Sequence, residues 1–242
     1  MSPEQTAEMS EASRIPGIFF EPSKTFRDIA QRPSWFLPMV LAILAGIGFA
    51  TALAQHVGWE RVIHQQLEAS SQFQQATADQ REQAVALQMR FMPVEFYGGA
   101  VLGTPILYLI VAAVLLGMTA LMAAELRFKQ VFAVTVWAGL PRVISAILTI
   151  TVLFLKNPDD FNLRNPTAFN VGAFMDPTGG STFLYTLATS LDLFTIWTII
   201  LLAKGLKAAA GKKLSFTGAL VAVVAPWIFL VLCGAMLVSA FM

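Results

Sequence analysis

The chain has 242 residues, of which 56% are apolar and only 13% charged, about half the charged share of a soluble globular domain. Its net charge of +1 points to neither nucleic acid nor a strongly acidic partner. Several mostly apolar stretches without a charge exceed the ~18 residues that separate a bilayer span from a buried core helix, which specifies an all-α polytopic membrane protein of one domain.

Residues 1–16 read as a disordered polar tail. They hold Glu4, Glu8 and Glu11 and no apolar core of a signal peptide, so the first span is expected to act as the insertion signal. Pro22 and Ser23 then mark a helix start and Pro33 limits its end. Phe26, Ile29 and Ala30 share one face of that helix, with Lys24, Arg27, Asp28 and Gln31 mainly on the other. The pattern predicts an amphipathic helix at headgroup level, anchored by Phe19 and Phe20.

Five spans follow, at about 35–54, 96–124, 131–155, 182–203 and 216–242. Each reaches the ~20 residues that ~30 Å of hydrocarbon requires. Pro105, Pro141 and Pro226 fall inside spans two, three and five, where they are expected to kink the helices. Between spans one and two, Thr77-Ala-Asp79-Gln80 resembles a capping box, after which Ala84, Leu87, Gln88 and Phe91 fall on one helical face. A helical hairpin is expected there. The segment from Asn157 to Gly180, rich in Asn, Asp, Pro and Gly, reads as irregular.

Orientation follows from the basic residues. A cytoplasmic N-terminus places Arg14, Lys24, Arg27, Arg32, Arg127, Lys129, Lys204, Lys207, Lys212 and Lys213 inside, and leaves Arg61, Arg81, Arg90, Lys156 and Arg164 outside. The positive-inside rule therefore gives N-terminus in, C-terminus out, and hairpin outside. Lys24, Arg27, Arg32, Lys204, Lys207, Lys212 and Lys213 are the residues expected to meet anionic headgroups.

Two charges fall within spans. Counted from the basic ends of spans three and four, Arg142 and Asp192 reach nearly the same depth, about 18 Å in at helical rise. A lone charge there costs ~3 kcal/mol or more, so an Arg142–Asp192 ion pair is predicted, either as structural glue or as a coupling site for transport. Small residues recur at helical spacing, Ala42, Gly46, Ala50 and Ala54 on span one, Gly99 and Gly103 on span two. Such stripes serve close contact within a bundle and homo-oligomerisation alike, and the first use is the more frequent.

No catalytic constellation is present: neither a phosphate loop, nor HExxH, nor a GxSxG elbow. His56 and His64 have no Cys neighbour at ligand spacing, and the single Cys233 has no disulfide partner in the chain. No enzyme activity, cofactor or metal is expected.

Three stretches carry a resemblance: Phe20-Glu-Pro-Ser-Lys-Thr-Phe-Arg-Asp-Ile29 before span one; Phe128-Lys-Gln-Val-Phe-Ala-Val134 continuing to Gly139-Leu-Pro141; and Leu191-Asp-Leu-Phe-Thr-Ile-Trp197 with Leu201-Leu-Ala-Lys-Gly205. Over roughly residues 17 to 240 the chain resembles bacterial members of the Yip domain family, whose eukaryotic relatives are named for interaction with Ypt/Rab GTPases. The resemblance implies five spans with a cytoplasmic N-terminus, in a bacterial inner membrane, and a link to membrane organisation or trafficking. The expected function is a non-enzymatic membrane scaffold that meets lipid on its basic side and a membrane or extracytoplasmic protein through the hairpin. The alternative is a small-solute, ion or lipid transporter built around Arg142 and Asp192.

Overall fold

A computed structural model describes residues 8–68, 71–158, 165, 169–175 and 181–241. Two short helices, α1 (Glu11–Phe20) and α2 (Pro22–Gln31), precede the spans. The first span is α3 (Phe36–His56), followed by α4 (Trp59–Leu67) and α5 (Ser71–Gln75). Next come α6 (Ala78–Gly98), a π-helical turn at Gly99–Gly103 and α7 (Thr104–Leu121), one continuous helical run of 44 residues. The third span is α8 (Phe128–Ala138) with α9 (Leu140–Leu155). α10 (Thr182–Ser190), α11 (Leu193–Ala210) and α12 (Phe216–Phe241) complete the order. Five of these runs are long and apolar enough to cross a membrane, and among the described residues there is no strand, only an isolated bridge between Asn170 and Asp192.

The span boundaries refine the sequence reading. Span two begins well before Phe96, because Thr77 and Gln80 form the expected capping box: the Gln80 side chain accepts the Thr77 N–H at 3.0 Å, and the Thr77 hydroxyl accepts the Gln80 N–H at 3.4 Å. Span four shifts toward the C-terminus, to Leu193–Lys213, because the chain breaks at Leu191–Asp192. The irregular segment expected from Asn157 to Gly180 lies largely outside the described residues, apart from a short 3-10 turn at Val171–Phe174.

Counting spans from either end puts the N-terminal helices, the α7–α8 turn and the α11–α12 turn on one side of the bilayer. Lys213 reaches Glu125 at 4.0 Å, tying two of those segments together. The hairpin and the α9–α10 connection share the other side, where His56 Nε2 lies 3.2 Å from the Lys156 carbonyl.

The helices gather into two units. The first comprises residues 1–42, 105–142 and 196–228. At its centre α8 is buried from Val131 through Ala138, with α2 and α11 against it. Gly205 makes one of these approaches possible: a Cβ there would stand 2.4 Å from Val134 Cγ1 and 3.0 Å from the Phe26 ring.

The second unit comprises residues 43–104, 143–195 and 229–242. Here the expected hairpin is present. Its core is Ala52, Leu53, Val57, Val62, Ile63 and Met92, joined by Leu153, with Trp59, Val85 and Phe96 at its edge. The helix of span one does not run on into α4 as its apolar pattern suggests. It turns at Gly58, whose φ of +84° suits glycine and strains any residue with a Cβ.

Candidate functional site

The most densely bonded polar cluster is one that sequence reasoning passes over. Ser10 caps α1 by accepting the Ser13 N–H at 3.2 Å, so the chain is helical from Glu11, inside the tail expected to be disordered. Residues 1–7 lie outside the described region. The cap aims Arg14 at Asp28 of α2. Arg14 Nε and Nη2 both donate to Asp28 Oδ2, at 2.7 and 2.6 Å, and the two side chains are only 4% and 7% exposed. Nη1 donates to the Ser34 hydroxyl at 2.6 Å and Nη2 to the Arg32 carbonyl at 3.2 Å. Asp28 Oδ1 takes Arg32, which also pairs with Glu8. The Arg14 guanidinium carbon stands 6.0 Å from the Trp137 ring centroid.

This network fastens the N-terminal helices to the bundle. Trp137 Nε1 donates to the Ser34 carbonyl at 2.8 Å, and Gln130 Nε2 to the Ala30 carbonyl at 2.9 Å. Trp35 meets Phe132 edge-on at 5.4 Å, and Phe19 meets Trp197 at 5.2 Å. The amphipathic helix has the ends its sequence predicts, but its apolar face does not lie on lipid. Phe26, Ile29 and Ala30 are buried in protein, and Asp28 is buried with them instead of on the polar face. Of the two expected anchors, only Phe20 projects freely, at 85% exposure.

The basic residues divide accordingly. Arg32 is committed to Asp28 and Glu8. Lys24 is exposed and pairs with Glu21 at 3.0 Å, and Arg27 is exposed with Nε on the Ser23 carbonyl. Lys207, Lys212 and Lys213 are exposed, Lys204 half-buried. Of the residues expected to meet headgroups, Lys24, Arg27, Lys207, Lys212 and Lys213 are thus the exposed ones.

The small residues of spans one and two behave differently. Gly46 faces Ala100, where an added Cβ would come within 2.9 Å, and Ala50 is fully buried, so the span-one stripe is a contact within the bundle. Ala42 is half-buried. Gly99 and Gly103, in contrast, have nothing within 4 Å of an added Cβ and bracket the π-helical turn, where Thr104 Oγ1 donates to the Gly99 carbonyl.

The three prolines sit in different surroundings. Pro105 follows the π-turn as the second residue of α7. Span three is interrupted at Gly139, so Pro141 occupies the first turn of α9, whose amides need no helical acceptor. Gly139 is pressed against Tyr108, and an added Cβ would stand 2.1 Å from the phenolic oxygen. Pro226 lies inside an uninterrupted α12. Arg142, one turn past the Gly139 break, is exposed.

Asp192 has a local use. It sits before α11, and its Oδ1 accepts the N–H of Phe194 at 2.9 Å and of Thr195 at 3.0 Å. It is the cap of the span helix, at the end of that span and not at its middle. The backbone around the break finds partners in an adjoining segment: Leu193 N–H donates to the Phe169 carbonyl at 3.1 Å, and Gly172 lies so close to Thr189 that a Cβ would stand 2.5 Å from its methyl. Arg142 and Asp192 belong to different units, and a bond between them stays an expectation.

Two outcomes follow. Asp28→Ala should cost about 3–5 kcal/mol, because it leaves the buried Arg14 without a counter-charge, and Arg14→Ala less, because Asp28 keeps Arg32, while the double change R14M with D28L should recover part of the larger loss. Fluorescence-monitored unfolding of the full chain in mild detergent reads both. If capping is what Asp192 does, Asp192→Asn should unfold within roughly 0.5 kcal/mol of the parent and Asp192→Ala about 1 kcal/mol lower. An Asn variant as damaged as the Ala variant would instead assign the carboxylate charge to Arg142.

Among the described residues no group of three or more His, Cys, Asp or Glu is placed to hold a metal ion. No curated protein and no solved structure matches the chain. The family model for the Yip1 domain matches residues 17–238, from the middle of α1 to the last turns of α12. Over that length the match takes in all five spans, the docked α2 and both interrupted helices: this integral membrane protein belongs to the Yip1 domain family.

Proposed function

We propose that the chain is a non-enzymatic membrane scaffold, concerned with membrane organisation or trafficking in a bacterial inner membrane, its N-terminus cytoplasmic. The observation that carries this reading is the hairpin. A run of 44 helical residues is about twice what the hydrocarbon needs, and its excess packs with α4 around a core of its own. A folded element built beyond the span fits docking of a partner there. The basic set Lys24, Arg27, Lys207, Lys212 and Lys213 on the opposite side suits anionic lipid, at ~1 kcal/mol per charge.

A transporter working through Arg142 and Asp192 is less well supported. It needs a carboxylate free to titrate at mid-depth, whereas Asp192 Oδ1 already takes two amide protons at a helix end.

Crosslinking in intact membranes, followed by mild purification and mass spectrometry, tests the scaffold reading. The parent chain should retain a protein partner that is lost when residues 60–90 are replaced by a flexible linker, with insertion of the five spans unchanged. Equal recovery from both chains would remove the hairpin from the function.

A further inference from the structure

α6 buries one face and leaves the other bare. Val85, Met92 and Phe96 turn inward to the hairpin core, while Leu87, Phe91 and Val94 are 58%, 59% and 67% exposed. These three belong to a longer row, Ala84, Leu87, Phe91, Val94 and Gly98, whose steps alternate between three and four residues up to the π-helical turn. That is a heptad seam with Ala84, Phe91 and Gly98 at a and Leu87 and Val94 at d. An added Cβ at Gly98 would meet nothing within 4 Å, so the seam is open at that point too.

The charges beside the seam fix what covers it. On this register Arg90 is a g position and Glu95 the following e position. Both are exposed, and neither has an ion-pair partner among the described residues. They lie too far round the helix to reach each other, but in a parallel two-stranded coil a g residue meets the e residue five positions on in the other strand. Two copies side by side would therefore form the Arg90–Glu95 pair twice, once in each direction. Gln83 and Gln88 stand in the same relation one heptad earlier.

Membrane topology supplies the remaining condition. α6 runs without a break into span two, so two copies inserted the same way, related by a two-fold axis along the membrane normal, present these helices in parallel. An antiparallel pairing would need opposite insertion.

We infer that the exposed face of α6 is a homodimer seam, in which a second copy of this chain docks in parallel through Leu87, Phe91 and Val94, in register by reciprocal Arg90–Glu95 pairs. The inference goes beyond the scaffold reading and does not depend on it, since a transporter can dimerise through the same face.

Single cysteines placed in the full chain, with Cys233 changed to Ala, test it in native membranes under mild oxidation. Leu87→Cys and Val94→Cys should give the disulfide-linked dimer, and Met89→Cys, exposed at an f position, should not. In the Val94→Cys chain, R90E or E95R alone should lower the dimer yield roughly five- to ten-fold, and the two together should restore it. Stepwise photobleaching of the unsubstituted chain in native nanodiscs should count two copies. Equal crosslinking at Met89, yields indifferent to charge exchange, or single copies by photobleaching would each overturn the seam. Labelling of Leu87 and Val94 by a lipid-phase photoprobe in a single-copy chain would assign the face to lipid instead.

Discussion

A hydrocarbon layer offers no partner for a backbone amide or carbonyl, and this constraint governs both the continuous and the broken parts of the structure. Where a span is uninterrupted, as in α3 and α12, the helix satisfies itself. Where it is interrupted, a specific substitute is present. At Leu191–Asp192 the side-chain carboxylate takes two free amides and Phe169 takes a third. At Gly139 the following Pro141 has no amide to satisfy. At Gly99–Gly103 wider helical hydrogen bonding carries the chain across without exposing a group. Each of these residues, out of place by hydropathy alone, has a backbone reason.

The same economy explains the N-terminal cluster. Burying Arg14 and Asp28 strips both of water, a cost that mutual attraction offsets only when the remaining donors are used. The Ser34 hydroxyl and the Arg32 carbonyl use them, and the Trp137 ring lies beside the guanidinium. In the register in which α1 and α2 dock, neither buried charge is left unanswered. Helices that look like surface anchors are thereby part of the folded domain, and the basic side chains left outside are held on a rigid support.

Much of this is legible in the sequence. Charge-free length marks the spans, Thr77 and Gln80 mark the start of α6, and Pro22 and Pro33 bound α2. What escapes follows a pattern. Hydropathy averages over windows and cannot register a break one or two residues long, so the interruption before Asp192 is hidden inside an apolar run. The signal is nonetheless present, since an Asp ahead of a helical stretch is a cap before it is an intramembrane charge. Arg14 is hidden differently. Its partner lies on another helix, and Asp28 beside Arg27 and Gln31 reads as one more residue of a polar face. Periodicity states that a helix has two faces. It does not state whether lipid, protein or a second copy covers the apolar one, and α2 and α6 resolve that question in different ways.

Docking of α1 and α2 onto α8 is read out by amide hydrogen exchange of the full chain in nanodiscs. Amides from residues 18 to 32 should exchange slowly, on the timescale of those in α8. Exchange there at the rate of an unstructured peptide, with α8 still protected, would show that the two helices are not docked.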